Sequence, residues 1–129
     1  MSQNAVLGFD KETDKKTRWD TYVDGVKFRI YIPTWRVPEP RPSRILVNVM
    51  LRRSNGEDAP NMTEADALAD PAIRHEPIIA TVNKDCSKTE TILYRPTGWE
   101  IGSPYIPFSM TCDGAEQLRI IIHWDVTSL

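Results

Sequence analysis

"RWDTYVDGVKFRIYI", residues 18–32, is the stretch that decides the fold class. Two alternating apolar and polar runs flank Asp24-Gly25, a strong type I′ hairpin signal, because both central residues of that turn need a positive φ. A two-residue turn also fixes the register of the two strands. The register predicts an apolar face with the pairs Val23–Val26, Thr21–Phe28 and Trp19–Ile30. It predicts a polar face with the pairs Tyr22–Lys27, Asp20–Arg29 and Arg18–Tyr31.

The β pattern continues beyond this hairpin. "RILVNVMLRR", residues 44–53, is apolar on both faces, which is typical of a central, covered strand. Residues 78–94 predict a second hairpin with a four-residue loop and Cys86 at its tip. Residues 105–125 predict a third hairpin around Asp113-Gly114. About seven strands follow from these segments.

We therefore predict an all-β, mainly antiparallel fold, either a single-domain β-sandwich or a small barrel. One short helix is predicted in residues 63–70, where Thr63 is suited to the N-cap. The polar residues 1–16 predict a flexible N-terminal arm, and residues 17–129 predict a single β domain.

"IPTWRVPEPRPSR", residues 32–44, connects the first hairpin to the central strand. Prolines at 38, 40 and 42 remove backbone donors and favour extended geometry in the residues before them. The segment is therefore predicted to be a stiff, polyproline-like crossing.

Several classes of protein are disfavoured by the composition. The apolar runs are too short to span a bilayer, and residues 1–16 do not resemble a signal peptide, so we expect a cytoplasmic protein with no membrane partner. In that reducing compartment Cys86 and Cys112 are expected to be free thiols.

The charge is strongly segregated along the chain. Residues 27–54 contain seven Lys or Arg and one acid, whereas residues 55–76 contain six acids and one base. The arginines alternate with Tyr31 and Trp35, a composition typical of single-stranded nucleic-acid grooves. The neighbouring acidic segment could instead neutralise these charges within one molecule or between two copies.

His123 and Asp125 are weak candidates for catalysis. Their two-residue spacing on the last strand puts them on one face, where a histidine could act as a general base beside an orienting carboxylate. A histidine satisfied by a nearby acid is the more ordinary interpretation, since the sequence fixes no nucleophile beside them.

Neither a metal ion nor any other cofactor is predicted. The remaining His, Cys and Glu candidates show no close ligand pair such as C-x₂-C (His75, Glu76, Cys86, Cys112). The glycines form no phosphate-binding fingerprint.

Three hypotheses about function result. The favoured one is a non-enzymatic binding or assembly module, which contacts a protein partner or a second copy through loops 33–44, 55–77 and 95–104. The first alternative is single-stranded nucleic-acid binding through the Arg/aromatic block 27–53, and the second is a small acid–base enzyme using His123 and Asp125. The candidate binding residues are Trp35, Arg36, Arg41, Arg44, Arg52, Arg53 and Trp99.

Overall fold

Antiparallel strands close into a barrel in the computed structural model, which describes residues 2–52 and 61–127. Eight strands lie within those ranges: β1 (Ser2–Glu12), β2 (Lys16–Val23), β3 (Val26–Pro33), β4 (Arg44–Leu51), β5 (Ile78–Ser87), β6 (Thr91–Pro96), β7 (Tyr105–Pro107) and β8 (Gln117–His123). Their order around the barrel is β1-β2-β3-β7-β6-β5-β8-β4. The predicted all-β small barrel is confirmed, with one strand more than the seven predicted.

The first hairpin forms as predicted. All six predicted cross-strand pairs between β2 and β3 are present. Asp24 and Gly25 have φ angles of 51° and 79°, as the type I′ turn requires. Trp19, Phe28 and Ile30 are fully buried, so the apolar face of the hairpin lies in the core.

Strand β1 differs from the expected flexible arm. Residues 2–12 pair with β4 along one side, from Ser2 opposite Met50 to Gly8 opposite Arg44, and with β2 along the other. Leu7 is fully buried in the core. The segment is mostly polar because much of its surface faces solvent, so the local composition conceals a strand that closes the barrel.

The second and third hairpins also differ from expectation. Cys86 lies within β5 opposite Leu93, and the hairpin loop is residues 88–90. Strand β7 pairs with β3 and β6, whereas β8 lies between β4 and β5. The predicted third hairpin is therefore wrong. Strand β7 ends at Pro107, which cannot donate to a sheet.

Strand β4 and the short helix agree with the sequence. β4 is paired on both sides, with β1 and β8, and most of it is buried. Helix α1 (Glu64–Ala69) begins after Thr63, and a reciprocal capping box joins the Thr63 and Asp66 side chains to each other's backbone. Short 3₁₀ turns cover Thr34–Arg36, Pro71–His75 and Phe108–Met110.

One end of the barrel collects most of the irregular structure. β3 and β6 end there at Pro33 and Pro96, and β5 begins there at Ile78. We call residues 33–44, 61–77, 97–104 and 124–127 together the loop end. The proline-rich crossing begins with a 3₁₀ turn and bends at Glu39 and Pro40, so, unlike the predicted crossing, it is not polyproline-like throughout. The Glu39–Pro40 bond is cis.

The helices of this fold are short. Within residues 2–52 and 61–127, no helix has both the length and the apolar character needed to cross a membrane.

Candidate functional site: the cleft at the loop end

Arg36 holds the loop end together from the inside. Its side chain is only 1% exposed. Nη1 donates to the carbonyl of Arg74 at 2.8 Å, and Nη2 donates to the carbonyls of Glu76 at 2.9 Å and Pro77 at 3.4 Å. The planar guanidinium group suits this arrangement because it presents five donors in a fixed geometry. Arg36 thus ties its own 3₁₀ turn to the segment that enters β5.

Glu100, which lies in a third loop, is the acidic partner of Arg36. It is 5% exposed, and its Oε1 accepts from Arg36 Nε at 3.4 Å and from the backbone N–H of Met62 at 2.6 Å. Burial lowers the pKa of Arg36, while the negative charge of Glu100 acts in the opposite direction. We call Arg36 and Glu100 the buried clasp. It joins loops that are 64 residues apart in the chain.

A cleft of about 690 Å³ opens above the buried clasp. This volume lies within the range of roughly 300–1,000 Å³ that is usual for binding sites. Its described walls combine apolar side chains with carboxylates; besides Arg36 they are Asn61, Met62, Asp66, Ala69, Asp70, Ile73, Glu76, Pro77, Ile79 and Glu100. The described lining thus carries four carboxylates and one guanidinium group, an excess of negative charge.

Trp99 lies beside this cleft. Its indole Nε1 donates to the carbonyl of Met62 at 2.8 Å, yet 53% of the residue remains exposed. The neighbouring Gly98 lies so close to Asn61 that an added Cβ would be 2.0 Å from its side-chain oxygen. Residues 97–104 therefore pack tightly on residues 61–62 and present one face of a tryptophan ring to solvent.

The three loops that the sequence proposed as a contact surface do meet in space. The cleft contains residues from each loop: Arg36 from loop 33–44, several of residues 61–77 from the described part of loop 55–77, and Glu100 from loop 95–104. Residues 55–60 lie outside the described residues.

The described arginines of the predicted surface, Arg36, Arg41, Arg44 and Arg52, have different surroundings. Arg36 is buried, and its guanidinium group donates to carbonyl groups and to Glu100 within the chain itself. Arg41 is paired with Glu12 at 3.1 Å, and Arg52 donates to Thr81 Oγ1 at 3.2 Å. Arg53 lies outside the described residues.

Arg44 and Arg52 lie at opposite ends of β4. Arg44 is exposed and makes no ion pair with any residue of 2–52 or 61–127. Eight residues of strand separate the two, which is about 26 Å at roughly 3.3 Å per residue. Arg44 and Arg52 therefore lie far apart on the barrel.

Trp35 is half-buried in the 3₁₀ turn that precedes Arg36. It borders a hollow on the outside of the loop end, together with Lys15, Lys16 and Glu64. Trp35 and Trp99 are thus both at the loop end, but only Trp99 contacts a residue of the cleft wall through a hydrogen bond.

His123 and Asp125 border a second, smaller groove of about 370 Å³ at the same end. The groove also contains Trp124, His75 and four prolines (Pro38, Pro40, Pro42, Pro77). Asp125 Oδ1 accepts from the backbone N–H and hydroxyl of Thr127, which lowers the pKa of the carboxyl group. Among the residues that the structure describes, no hydrogen bond or ion pair joins His123 to Asp125, although both border the same groove.

Within the described part of the chain, no group of three or more His, Cys, Asp or Glu side chains could hold a metal ion. The sequence did not identify Glu100 and Met62, which line the cleft, as site residues. A single charge between the apolar Trp99 and Ile101 was the signal that could have identified Glu100.

No family model matches the chain, and no curated protein or solved structure matches it either.

Proposed function

We propose that the protein is a non-enzymatic binding or assembly module that contacts a protein partner, or a second copy of itself, at the loop end. The observation that carries this proposal is the buried clasp, which holds three separate loops around one cleft. A site whose loops are fixed before binding loses less conformational entropy when the partner arrives.

The lining of the cleft favours a basic segment of the partner. Asp66, Asp70 and Glu76 provide negative charge around the cleft, while Met62 and Ile73 provide apolar wall. A lysine or arginine side chain matches both features, because its apolar stem carries a cationic head. Trp99 offers an exposed ring beside the cleft, and tryptophan is enriched among the residues that dominate binding energy.

Photo-crosslinking tests this proposal directly. Leu68 is exposed on α1, between Asp66 and Ala69 of the cleft wall, and can be replaced by p-benzoylphenylalanine. Lys88 is exposed in the loop at the opposite end of the barrel and provides the matched control position. After irradiation, we expect the variant labelled at position 68 to form a covalent adduct with one protein, and the variant labelled at position 88 to form none. An adduct of twice the chain mass would identify self-association.

The adduct must also depend on the charge of the cleft. Glu76→Gln removes one carboxylate from the cleft wall, and Glu90→Gln removes one at the opposite end. We expect the first change to weaken the adduct severalfold and the second to leave it unchanged. Equal crosslinking from positions 68 and 88, or an adduct insensitive to Glu76→Gln, would refute the loop end as the contact surface.

The acid–base enzyme has less support from the geometry. Its two residues share a groove, but the Asp125 carboxylate is occupied by Thr127 and does not orient His123.

A further inference from the structure

A groove lies on the outer surface of the barrel, where β3 and β7 meet. In the part of the chain that the structure describes, one bridged pair, Arg29 opposite Tyr105, joins these two strands. Alternation along β3 places Lys27, Arg29 and Tyr31 on the same outer face. Residue 103 lies just before β7, so the side chains of Ser103 and Tyr105 come beside those of β3.

These five residues line a groove of about 260 Å³. Each of the described lining residues, Lys27, Arg29, Tyr31, Ser103 and Tyr105, has a side-chain hydrogen-bond donor, and none has a carboxylate. A surface that presents two cations and three hydroxyl groups but no carboxylate is suited to an anion with several acceptor oxygens, such as a phosphate group.

The positive charge of the groove is only partly balanced. Lys27 Nζ and Arg29 Nε lie 3.2 Å and 3.8 Å from the same Asp20 carboxylate oxygen, so two cations share one anion. Arg29 Nε is buried and makes no hydrogen bond with the residues that the structure describes. The nearby Arg18 is already paired with Asp10.

Aromatic rings flank these cations. Tyr105 is 47% exposed, and Tyr22, at the far side of Lys27, is 66% exposed with its ring centroid 4.5 Å from Lys27 Nζ. Arg18 Nη1 donates to the hydroxyl of Tyr31 at 3.2 Å, and this donation lowers the pKa of Tyr31. Exposed rings beside cations allow a base to stack while its phosphate is held.

We propose that the groove between β3 and β7 binds the phosphate of a nucleotide, either free or within a single-stranded nucleic acid. Lys27 and Arg29 contact the phosphate, and the ring of Tyr105 stacks on the base. The groove is too small for a whole nucleotide, so the base lies over the exposed ring. The groove shares no lining residue with the cleft at the loop end; of its five lining residues, Ser103 alone belongs to the loop end.

The proposed groove uses only part of the block 27–53 that the sequence predicted to bind nucleic acid. Lys27, Arg29 and Tyr31 belong to the block 27–53, but the described arginines farther along that block, Arg36, Arg41, Arg44 and Arg52, do not line this groove. The necessary partners, Ser103 and Tyr105, come from a segment more than 70 residues away.

Fluorescence anisotropy of labelled ten-nucleotide oligothymidine and oligouridine, at about 50 and 200 mM salt, tests the proposal. Because Arg29→Gln removes a phosphate contact and Tyr105→Leu removes the stacking ring, we expect each to weaken binding by about tenfold. Arg95→Gln provides the matched control, since Arg95 is also exposed on a strand and paired with an aspartate, Asp85, at 2.7 Å.

A gain of affinity gives an independent result. Asp20→Asn removes the carboxylate that competes with the phosphate for Lys27 and Arg29, so we expect binding at least threefold tighter. Asp85→Asn makes the same change in net charge elsewhere on the barrel and should have less effect. Equal effects of the two substitutions, or no binding of either oligonucleotide at 50 mM salt, would overturn the site.

Competition distinguishes the sources of the phosphate. Displacement by adenosine monophosphate at concentrations similar to those of the oligonucleotide would indicate a free nucleotide, and resistance to it would indicate a strand. Equally effective displacement by inorganic phosphate would overturn the role of the Tyr105 ring. Urea unfolding of each variant shows whether the barrel is intact.

Discussion

Replacing Arg36 with methionine should destabilise the protein far more than replacing an exposed arginine. The substitution keeps an apolar stem but removes the ion pair with Glu100 at 3.4 Å and the donors to the carbonyls of Arg74, Glu76 and Pro77. Breaking a buried pair by removing one partner typically costs about 3–5 kcal/mol, because a charge remains without compensation. We expect a loss within that range.

Urea unfolding followed by tryptophan fluorescence measures the loss. With a slope of about 2 kcal/mol per molar urea, a loss of 3–5 kcal/mol moves the midpoint down by about 1.5–2.5 M. The control is Arg41→Met, because the Arg41–Glu12 pair has a similar separation, 3.1 Å, but its side chains are 39% and 44% exposed. Exposed pairs contribute about 0–1 kcal/mol, so the midpoint of this variant should hardly change.

Two further variants distinguish the Arg36–Glu100 ion pair from the hydrogen bonds that Arg36 donates to the carbonyl groups. Arg36→Lys keeps the charge but not the planar set of donors, so its loss should be intermediate. The double variant Arg36→Met/Glu100→Gln should lose less than the sum of its two single variants, because they remove the same interaction. If Arg36→Met costs no more than Arg41→Met, the buried clasp does not hold the loops and the argument for a preformed cleft is refuted.

Three smaller predictions concern local features. Gly25→Ala should cost about 1 kcal/mol in unfolding free energy, because Gly25 has a φ of 79°. Gly8→Ala, where an added Cβ meets nothing within 4 Å, should cost much less in the same urea assay. Burial raises the pKa of Tyr94 to about 12. Its neutral form is favoured by folding, so stability should be constant below roughly pH 10 and fall from there through pH 12, and Tyr94→Phe should reduce this fall. Trp99→Phe removes the donor to Met62 and should cost about 1 kcal/mol, with no loss if that hydrogen bond is unimportant.

The sequence predicted the features that neighbouring residues control. The register of the first hairpin follows from a two-residue turn and strict alternation, both of which lie within residues 18–32. The helix after Thr63 follows from a capping box four residues long. The buried strand β4 was visible because both its faces are apolar.

Distant pairing could not be read from the same signals. Strand β1 is mostly polar, and its place in the barrel depends on closure against β4. Strand β7 has three residues, too few to show an alternating pattern, and its neighbours are chosen by the closed order of the barrel. The predicted third hairpin was wrong because its turn signal around Asp113-Gly114 belongs to a connection from β7 to β8, which are not neighbours.

The amino-acid sequence by itself thus determined the β class, the first hairpin, the central strand and the position of the short helix. Only the tertiary structure decided that Arg36 meets Glu100 inside the loop end, and that Lys27 and Arg29 meet Tyr105 on the outer surface. The physical reason is separation along the chain. Turns, caps and alternation act within a few residues, whereas these contacts depend on how the whole barrel closes.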